Sequence, residues 1–482
     1  AEPPPFEIVE HSTTAESIRL KYRYLDLRRP DLQHNILMRH RIAKIARDYF
    51  DEHGFIELET PMLIKSTPEG ARDFLVPSRL HHGEFYALPQ SPQLYKQLSM
   101  VAGFDRYMQL ARCFRDEDLR ADRQPEFTQI DLEMSFVDVE DVLAIGEGFM
   151  KTVFDKALGE QITLPLPRLT YTEAMERFGS DKLDTRFGME IIDLTDTVKD
   201  CGFGVFASAV SGGGTVRAIT AKGGAAKLSR KEIDKLTEFV KGIGAKGLAW
   251  VRWVDEKPTA SFAKFMTEDE MQALLQKAGA EQGDVVLIVA DTIKKHVLTT
   301  LGALRLEVAD KLGIERSGYQ LLWITEFPFF EYDEEAGQYV AMHHPFTAPL
   351  DECIEFLDSA PEKVFAKAYD LVLNGVELAS GSIRITDPEL QAHMFAALGL
   401  SPEEAQQKFG FLTDAFRYGA PPHGGMGIGL DRLVMQMLGA DTLRDVVPYP
   451  KVQNMTELMT ACPSAVDDAQ LEELGLQVQP EA

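Results

Sequence analysis

The chain is poor in cysteine and has no long apolar segment. Its 482 residues include four cysteines, Cys113, Cys201, Cys353 and Cys462, which are scattered and form no CxxC pair. This spacing argues against a disulfide framework or a structural zinc site and favours reduced thiols in a cytosol. A transmembrane helix is excluded because no apolar run reaches roughly 18 residues. The N-terminus lacks the basic and apolar regions of a signal peptide, so we expect a cytoplasmic location.

Positive charge is also scarce. The chain has 50 Lys and Arg against 76 Asp and Glu, a net charge of −26. Taken as a whole, this balance argues against a nucleic-acid partner, because phosphate binding requires Lys and Arg. Local basic paths remain possible at residues 19–29 and 112–123. The first of these fits a solvated surface better than a binding site.

The composition is ordinary for a globular protein, with 45% hydrophobic and 26% charged residues. The length allows two to four domains. Residues 1–20 begin with three prolines and resemble a leader or hinge. Near Gly188 the composition shifts to a glycine-rich region of alternating predicted helices and strands. We expect a separate α+β domain over residues 189–316, between two parts of a larger domain at 21–188 and 317–482.

Two predicted elements near the N-terminus form a helix–strand unit. Apolar residues recur at helical spacing over 35–53, and Gly54 ends that helix. Residues 55–59 then predict a short strand that Thr60 and Pro61 end. The pattern alone is also that of an ordinary helix–strand unit.

Residues 107–115 and 126–136 predict two antiparallel strands joined by a highly charged turn. In the second strand, Asp131 and Glu133 share a face with Phe127, while the apolar residues take the other face. Two carboxylates on a strand face are costly unless the face lines a wet or cationic site.

A second arginine signature, Gly-Met-Gly-Ile-Gly-Leu-Asp-Arg, lies at residues 425–432. This signature resembles motif 3 of class II aminoacyl-tRNA synthetases, and the segment 114–131 resembles motif 2. The helix–strand unit near the N-terminus resembles motif 1. Residues 90–97, Gln-Ser-Pro-Gln-Leu-Tyr-Lys-Gln, narrow the resemblance to the bacterial-type aspartate enzymes of that class.

The resemblance implies a fold and an activity. The fold is α+β, with an antiparallel sheet flanked by helices and an inserted α+β domain. The activity is ATP-dependent conversion of L-aspartate to aspartyl-adenylate and its transfer to the 3′ end of tRNA. Such catalysis depends on positioning and electrostatic stabilisation more than on a general base. The resemblance also implies a homodimer whose interface motif 1 builds.

By resemblance, Arg115 clamps the α-phosphate and the substrate carboxylate, a role that suits a planar guanidinium. Arg432 covers the base or reaches the γ-phosphate, and Glu377 is the third catalytic candidate. The remaining ATP-binding candidates are Glu117, Gln124, Phe127, Gly429, Leu430 and Asp431.

The same resemblance supplies an aspartate pocket. Lys96 and Arg384 would face the β-carboxylate, and two cations favour aspartate over neutral asparagine. Glu69 would pair with the ammonium group, with Gln93 and Asp131 completing that site. His343 and His344 would lie near the substrate side chain, where a protonated imidazole would add a third cation.

Magnesium would accompany ATP, because it prefers carboxylates together with phosphate oxygens. Glu377 is the best candidate ligand. Asp370, which we place on a predicted helix at 362–373, is a weaker one. Residues 376–385 predict a strand in which Glu377 and Arg384, seven apart, would face opposite ways. We therefore expect a bulge at residues 380–382 that resets the alternation.

The charged turn is the expected contact with the acceptor end of tRNA, through Arg120 and Arg123. In the family, an anticodon-reading domain precedes motif 1, and the residues ahead of position 35 leave no room for one. On this basis we expect adenylate formation to survive and tRNA charging to be weak.

Two other interpretations stay open at this point. The same fold could take asparagine or lysine, although Lys96, Arg384 and the 90–97 signature disfavour this. A non-catalytic relative should lose one of Arg115, Glu377, Arg384 or Arg432, and all four are present. The sequence also leaves open whether tRNA(Asp) alone or tRNA(Asn) as well is charged.

Overall fold

The structure is a computed structural model that describes residues 2–67, 70–118, 123–255, 257–333 and 337–479. In these ranges the helices are α1 Glu16–Lys21, α2 Arg23–Asp26, α3 Pro30–Glu52, α4 Gln93–Val101, α5 Val139–Leu158, α6 Tyr171–Phe178, α7 Thr195–Val198, α8 Gly204–Ser211, α9 Arg230–Gly242, α10 Glu268–Lys277, α11 Lys294–Leu312, α12 Pro388–Ala397, α13 Pro402–Phe416, α14 Leu430–Leu438 and α15 Asp468–Glu473. Within the described ranges, none of these helices is both long and apolar enough to cross a bilayer.

The strands in the same ranges are β1 Ile56–Glu57, β2 Leu75–Pro77, β3 Phe85–Ala87, β4 Arg106–Phe114, β5 Glu126–Ser135, β6 Arg168–Thr170, β7 Ile192–Asp193, β8 Thr215–Ala221, β9 Ala249–Arg252, β10 Thr259–Ala260, β11 Val285–Asp291, β12 Leu321–Pro328, β13 Phe330–Asp333, β14 Gln338–Ala341, β15 Phe365–Leu373, β16 Val376–Ile383 and β17 His423–Gly429. By its internal contacts the chain forms two compact units. The first comprises residues 1–166, 326–370 and 378–482, and the second comprises 167–325 and 371–377.

The first unit is built on a mostly antiparallel sheet. Its strands lie in the order β1-β4-β5-β17-β16-β15, with β1 parallel to β4 and the pairs β4–β5, β5–β17 and β17–β16 antiparallel. Helices α3, α5 and α14 flank it, with α3 packed on α5 and on α14. The expected fold class, an antiparallel sheet flanked by helices, is confirmed.

Strand β5 holds the centre of this sheet. Its apolar face is fully buried, with Ile130 and Leu132 at 0% exposure, as the alternation predicts. Asp131 and Glu133 on the other face are also buried, at 2% and 0% exposure. From Ile130 onwards both faces of β5 are therefore enclosed, and the two carboxylates need partners inside the protein.

The second unit has its own antiparallel sheet, in the order β10-β9-β11-β8-β7. Strand β6 pairs with β12 in parallel. Helix α11 covers the predicted range 294–312, and its Leu301 and Leu304 pack with Ile219 and Leu287 in a buried core. This core is independent of the strands that carry the two arginine motifs.

The predicted helix at 362–373 is wrong, because residues Phe365–Leu373 form strand β15. Asn374 and Gly375 have positive φ values of 53° and 86°, which suit a two-residue hairpin turn between β15 and β16. Strand β15 is almost continuously buried, and such a run gives no alternation that separates strand from helix. Asp370 consequently lies on a strand.

The predicted bulge at residues 380–382 is also wrong. The ladder from β16 to β17 is unbroken from Ala379 to Ile383, and the Arg384 N–H then donates to the His423 carbonyl at 3.0 Å. Gly381 serves close packing: a Cβ there would lie 2.6 Å from the Tyr369 ring and 2.2 Å from the Gly425 carbonyl.

Candidate active site

Four buried charged residues of the first unit meet beside the central sheet. Lys96 lies on α4, Asp131 and Glu133 lie on β5, and Arg384 directly follows β16. Their exposures are 2%, 2%, 0% and 4%, respectively. We call these four residues the ionic cluster.

Opposite charges alternate through the ionic cluster. Arg384 donates from Nε to Glu133 Oε1 at 2.8 Å and from Nη2 to Oε2 at 3.0 Å. The same Oε2 lies 3.3 Å from Lys96 Nζ, which also donates to Asp131 Oδ1 at 2.8 Å. Glu133 therefore holds the two cations side by side. With two positive and two negative groups, the cluster is formally neutral.

The pKa of Glu133 reflects these partners. Burial alone would raise it, but Arg384 and Lys96 outweigh burial and lower the pKa to about 2. Burial raises the pKa of Asp131, and Lys96 opposes that change. The Glu133 carboxylate is thus the more firmly ionised member of the pair.

His344 closes one side of the ionic cluster as a neutral ring. Arg384 donates from Nη1 to His344 Nε2 at 2.7 Å and to Ser382 Oγ at 2.5 Å. Burial, with Arg384 adding to it, holds the pKa of His344 well below its usual value. Burial likewise lowers the pKa of His343 to about 4. The expectation of a protonated imidazole as a third cation is therefore wrong for this state, because both rings are neutral at pH 7.

A glycine makes room for Glu133. A Cβ at Gly425 would lie 2.2 Å from Glu133 Oε2 and 2.1 Å from the Leu132 carbonyl. Below that strand, the Tyr369 hydroxyl donates to the Gly425 carbonyl at 3.0 Å. Glycine at this position of β17 is therefore a steric requirement of the ionic cluster.

The 90–97 signature includes the buried glutamines Gln90 and Gln93. Gln90 pairs with the Ala71 backbone, donating to its carbonyl at 2.9 Å and accepting from its N–H at 3.1 Å. Gln93 is buried on α4. Within the described ranges, Gln93 Nε2 and Asp131 Oδ2 are buried atoms with no hydrogen-bond partner. Glu69, the predicted ammonium ligand, lies outside the described residues.

The first arginine motif brings Arg115 and Phe127 together, with the guanidinium carbon 5.0 Å from the ring centre. Glu117 accepts from Arg123 at 2.9 Å, and both side chains are partly exposed. Gln124 exchanges two hydrogen bonds with the Lys451 backbone, at 3.1 and 2.8 Å. Arg120 lies outside the described residues.

The second arginine motif runs from β17 into α14. Gly429 is the residue before that helix, Leu430 and Asp431 are buried, and Arg432 is partly exposed. The Asp431 carboxylate accepts from the Thr128 N–H at 3.1 Å and is ion-paired with Arg39 of α3. The side chain of Asp431, a predicted ATP-binding residue, is therefore engaged with other residues of the protein.

The family model for class II tRNA synthetases (D, K and N) matches residues 15–453. This chain belongs to that family. It is 60% identical to an aspartate–tRNA ligase of Ruminiclostridium cellulolyticum, covering 100% of this chain and 81% of the relative. It is 57% identical to an aspartate–tRNA(Asp/Asn) ligase of Caldanaerobacter subterraneus subsp. tengcongensis, covering 99% and 81%.

A solved structure of the same class agrees in fold. The asparaginyl-tRNA synthetase of Entamoeba histolytica in complex with asparaginyl-adenylate superposes with a TM-score of 0.53 at 19% identity, over 92% of this chain and 73% of that one. At this identity the likeness concerns the class II synthetase fold alone.

The two candidate magnesium ligands of this class II synthetase lie on strands β15 and β16. Glu377, in the second unit, is ion-paired with Lys182 at 3.2 Å and is 27% exposed at its side chain. Asp370, in the first unit, is 8% exposed. Among the described residues, no group of three or more His, Cys, Asp or Glu side chains could hold a metal ion. Carboxylates here would suit magnesium that brings most of its oxygen ligands with ATP.

Some residues of this candidate site are not among the predicted ones. Glu133, the centre of the ionic cluster, is predicted to share a strand face with Asp131 but is not assigned to the pocket. Its position two residues after Asp131 on a core strand was the available signal. Arg39 gave no local signal, since it acquires its partner Asp431 only through the tertiary fold.

The low pKa of His343 predicts acid sensitivity. In the unfolded chain the ring titrates near its ordinary value of about 6.5, whereas in the folded protein the pKa is about 4. Between these values the unfolded state binds the extra proton, so stability falls as pH falls. From pH 7.5 to pH 5 we expect a loss of about 1–2 kcal/mol from this residue.

Urea unfolding of the wild type and His343→Asn at both pH values measures this loss. The wild type should lose more stability on acidification than the variant, because only it carries this ring. Equal losses in the two proteins would contradict the assignment.

Proposed function

We propose that the ionic cluster is the side-chain pocket of an aspartate–tRNA ligase. The chain has the activity of that enzyme class: relatives at 54–60% identity over 98–100% of this chain are aspartate–tRNA ligases. The observation that carries the proposal is the pair of cations, Lys96 and Arg384, held on one carboxylate oxygen of Glu133.

The paired cations account for selectivity. A β-carboxylate entering beside Lys96 and Arg384 gains two charge-assisted hydrogen bonds in a buried setting. Asparagine has the same shape but no charge, and its amide would place a donor toward two donors. A site built for one pattern of polar groups rejects the other because its own groups are left without partners.

The ammonium group of the substrate has matching acceptors. Asp131 Oδ2 is buried without a hydrogen-bond partner within the described ranges, and a substrate ammonium would supply one. We assign Gln93 and Glu69 to the same end of the substrate. His343 and His344 then border the side-chain end as neutral rings.

We assign ATP to the two arginine motifs. Arg115 would bind the α-phosphate as negative charge builds there during attack by the substrate carboxylate. Phe127 would present a face to adenine, although in this state the Arg115 guanidinium lies over that ring. Arg432 would cover the other face of the adenine. Glu117, Gln124 and the backbone of residues 429–431 would surround the nucleotide.

The remaining assignments follow the family. We propose Glu377 as a ligand for the magnesium that arrives with ATP and Asp370 as a second, weaker candidate. Arg120 and Arg123 would contact the acceptor end of tRNA. We also propose a homodimer, a cytoplasmic location and an inserted α+β domain at residues 189–316.

ATP–pyrophosphate exchange without tRNA tests the proposal. We expect exchange with aspartate and none above background with asparagine or lysine, each supplied separately. Exchange with asparagine and not with aspartate would show that the pocket binds a different substrate from the one proposed. Charging of tRNA(Asp) and tRNA(Asn) transcripts would then resolve the choice that the relatives' two names leave open.

A further inference from the structure

A buried ion pair ties together the three elements around the proposed nucleotide site. Asp431, in the first turn of α14, is 3% exposed. One of its oxygens accepts from the Thr128 backbone N–H on β5, and the other makes an ion contact, without hydrogen-bond geometry, with the Arg39 guanidinium on α3. The pair therefore joins a long helix, the central strand and the helix that begins with the second arginine motif.

Helix capping alone does not explain this arrangement. An acidic residue in the first turn of a helix stabilises the helix by interacting with its dipole, and it can do so while exposed to solvent. Asp431 is instead enclosed, and a buried carboxylate is costly unless a charge and hydrogen bonds compensate it. Arg39 is itself only 15% exposed at its side chain. The Arg39 guanidinium thus helps to compensate the cost of burying the Asp431 carboxylate.

The two anchored backbone positions adjoin the residues assigned to the base of ATP. Thr128 follows Phe127 on β5, and Arg432 follows Asp431 on α14. The stem of Arg432 lies against the start of the helix, since a Cβ at Gly429 would be 3.8 Å from Arg432 Cβ. Fixing Asp431 therefore fixes the origin of the Arg432 side chain.

We propose that Arg39 is a positioning residue for ATP: through Asp431 it sets the spacing between the Phe127 and Arg432 backbones. The inference rests on the nucleotide assignment given above. Because the ionic cluster is formed by other side chains, Arg39 acts on ATP affinity and leaves aspartate affinity unchanged. Small displacements of positioning groups can cost an enzyme as much as about a hundredfold.

The experiment compares Arg39→Met, Arg39→Lys and Asp431→Asn with the wild type, using KM for ATP and KM for aspartate in pyrophosphate exchange. Arg39→Met should raise KM for ATP about tenfold and leave KM for aspartate within about twofold. Arg39→Lys, which keeps the charge, should recover part of the loss. The matched control is Arg47→Met on the same helix, which breaks an exposed ion pair with Glu57 and should change neither constant.

ATP-induced shifts of the melting temperature provide a readout independent of activity. A reduced shift in Arg39→Met supports the inference even if exchange fails in the wild type, which would count against the proposed function alone. An unchanged KM for ATP and an unchanged shift overturn the inference. A parallel loss in both KM values that follows the melting temperature also overturns it. If Arg39→Met does not fold, Asp431→Asn decides by the same criteria.

Discussion

Replacing Lys96 with methionine should lower kcat/KM for aspartate by about a thousandfold, the equivalent of about 4 kcal/mol. The ionic cluster is neutral with Lys96 present, and without it Asp131 and Glu133 exceed Arg384 by one negative charge. A substrate carboxylate would then enter a pocket that repels it. KM for ATP should change little, because the two arginine motifs are formed by other residues.

Pyrophosphate exchange with aspartate and ATP varied in turn measures both effects. The matched control is Lys44→Met, which removes an exposed lysine paired with Asp48 on α3. The control should retain wild-type constants. If kcat/KM for aspartate in Lys96→Met stayed within about tenfold of the wild-type value, Lys96 would have no role in recognising the substrate.

Glu133→Gln should be the most destabilising single change in the pocket, lowering the free energy of unfolding by about 3 kcal/mol. Glu133 compensates Arg384 with two hydrogen bonds and contacts Lys96 as well. Its neutral amide leaves two buried cations with one carboxylate between them. Aspartate activation should also fall by more than a hundredfold, since the cations lose the group that holds them side by side.

Chemical denaturation at pH 7.5 measures the change in stability. Glu126→Gln on the same strand is the control, because Glu126 pairs with Arg112 and Lys451 near the surface. Exposed pairs contribute under about 1 kcal/mol, so the control should lose little. Equal losses in the two variants would show that the cluster contributes no more than a surface pair.

The wild-type contribution of Glu133 depends on pH in a defined direction. Its folded pKa, about 2, lies below the ordinary value. The stabilisation is therefore present above the ordinary carboxyl pKa of about 4.3 and is lost as pH falls towards 2.

Alternating and helical periodicity predicted much of the first unit. Strands β4 and β5 and helix α5 follow from patterns in which one face is apolar and the other polar. The prediction for residues 365–373 was wrong for the opposite reason. Tyr369, Leu371 and Val372 of strand β15 are all at 0% exposure, so the sequence shows no alternation of polar and apolar residues that would identify a strand. The Asn374-Gly375 dipeptide, which is typical of a two-residue hairpin turn, was the stronger signal in the sequence.

Family motifs predicted which charged residues meet, but not how they meet. Lys96, Asp131 and Arg384 were expected around the substrate, and the structure brings all three together. Their arrangement depends on Glu133, which neutralises the cations before any substrate arrives. The neutrality of His344 likewise comes from burial and from Arg384, and neither is visible in a local pattern.

Arg384 and Glu133 are 251 residues apart in the chain, and the whole of the second unit lies between them in sequence. Closing so long a stretch of chain has an entropic cost, and contacts of long sequence separation slow folding. Until β16 and β17 join β5, the acidic residues of that strand face water without their cations. Enclosure of these charges therefore depends on completion of the sheet, so the proposed substrate pocket and the sheet are stabilised together.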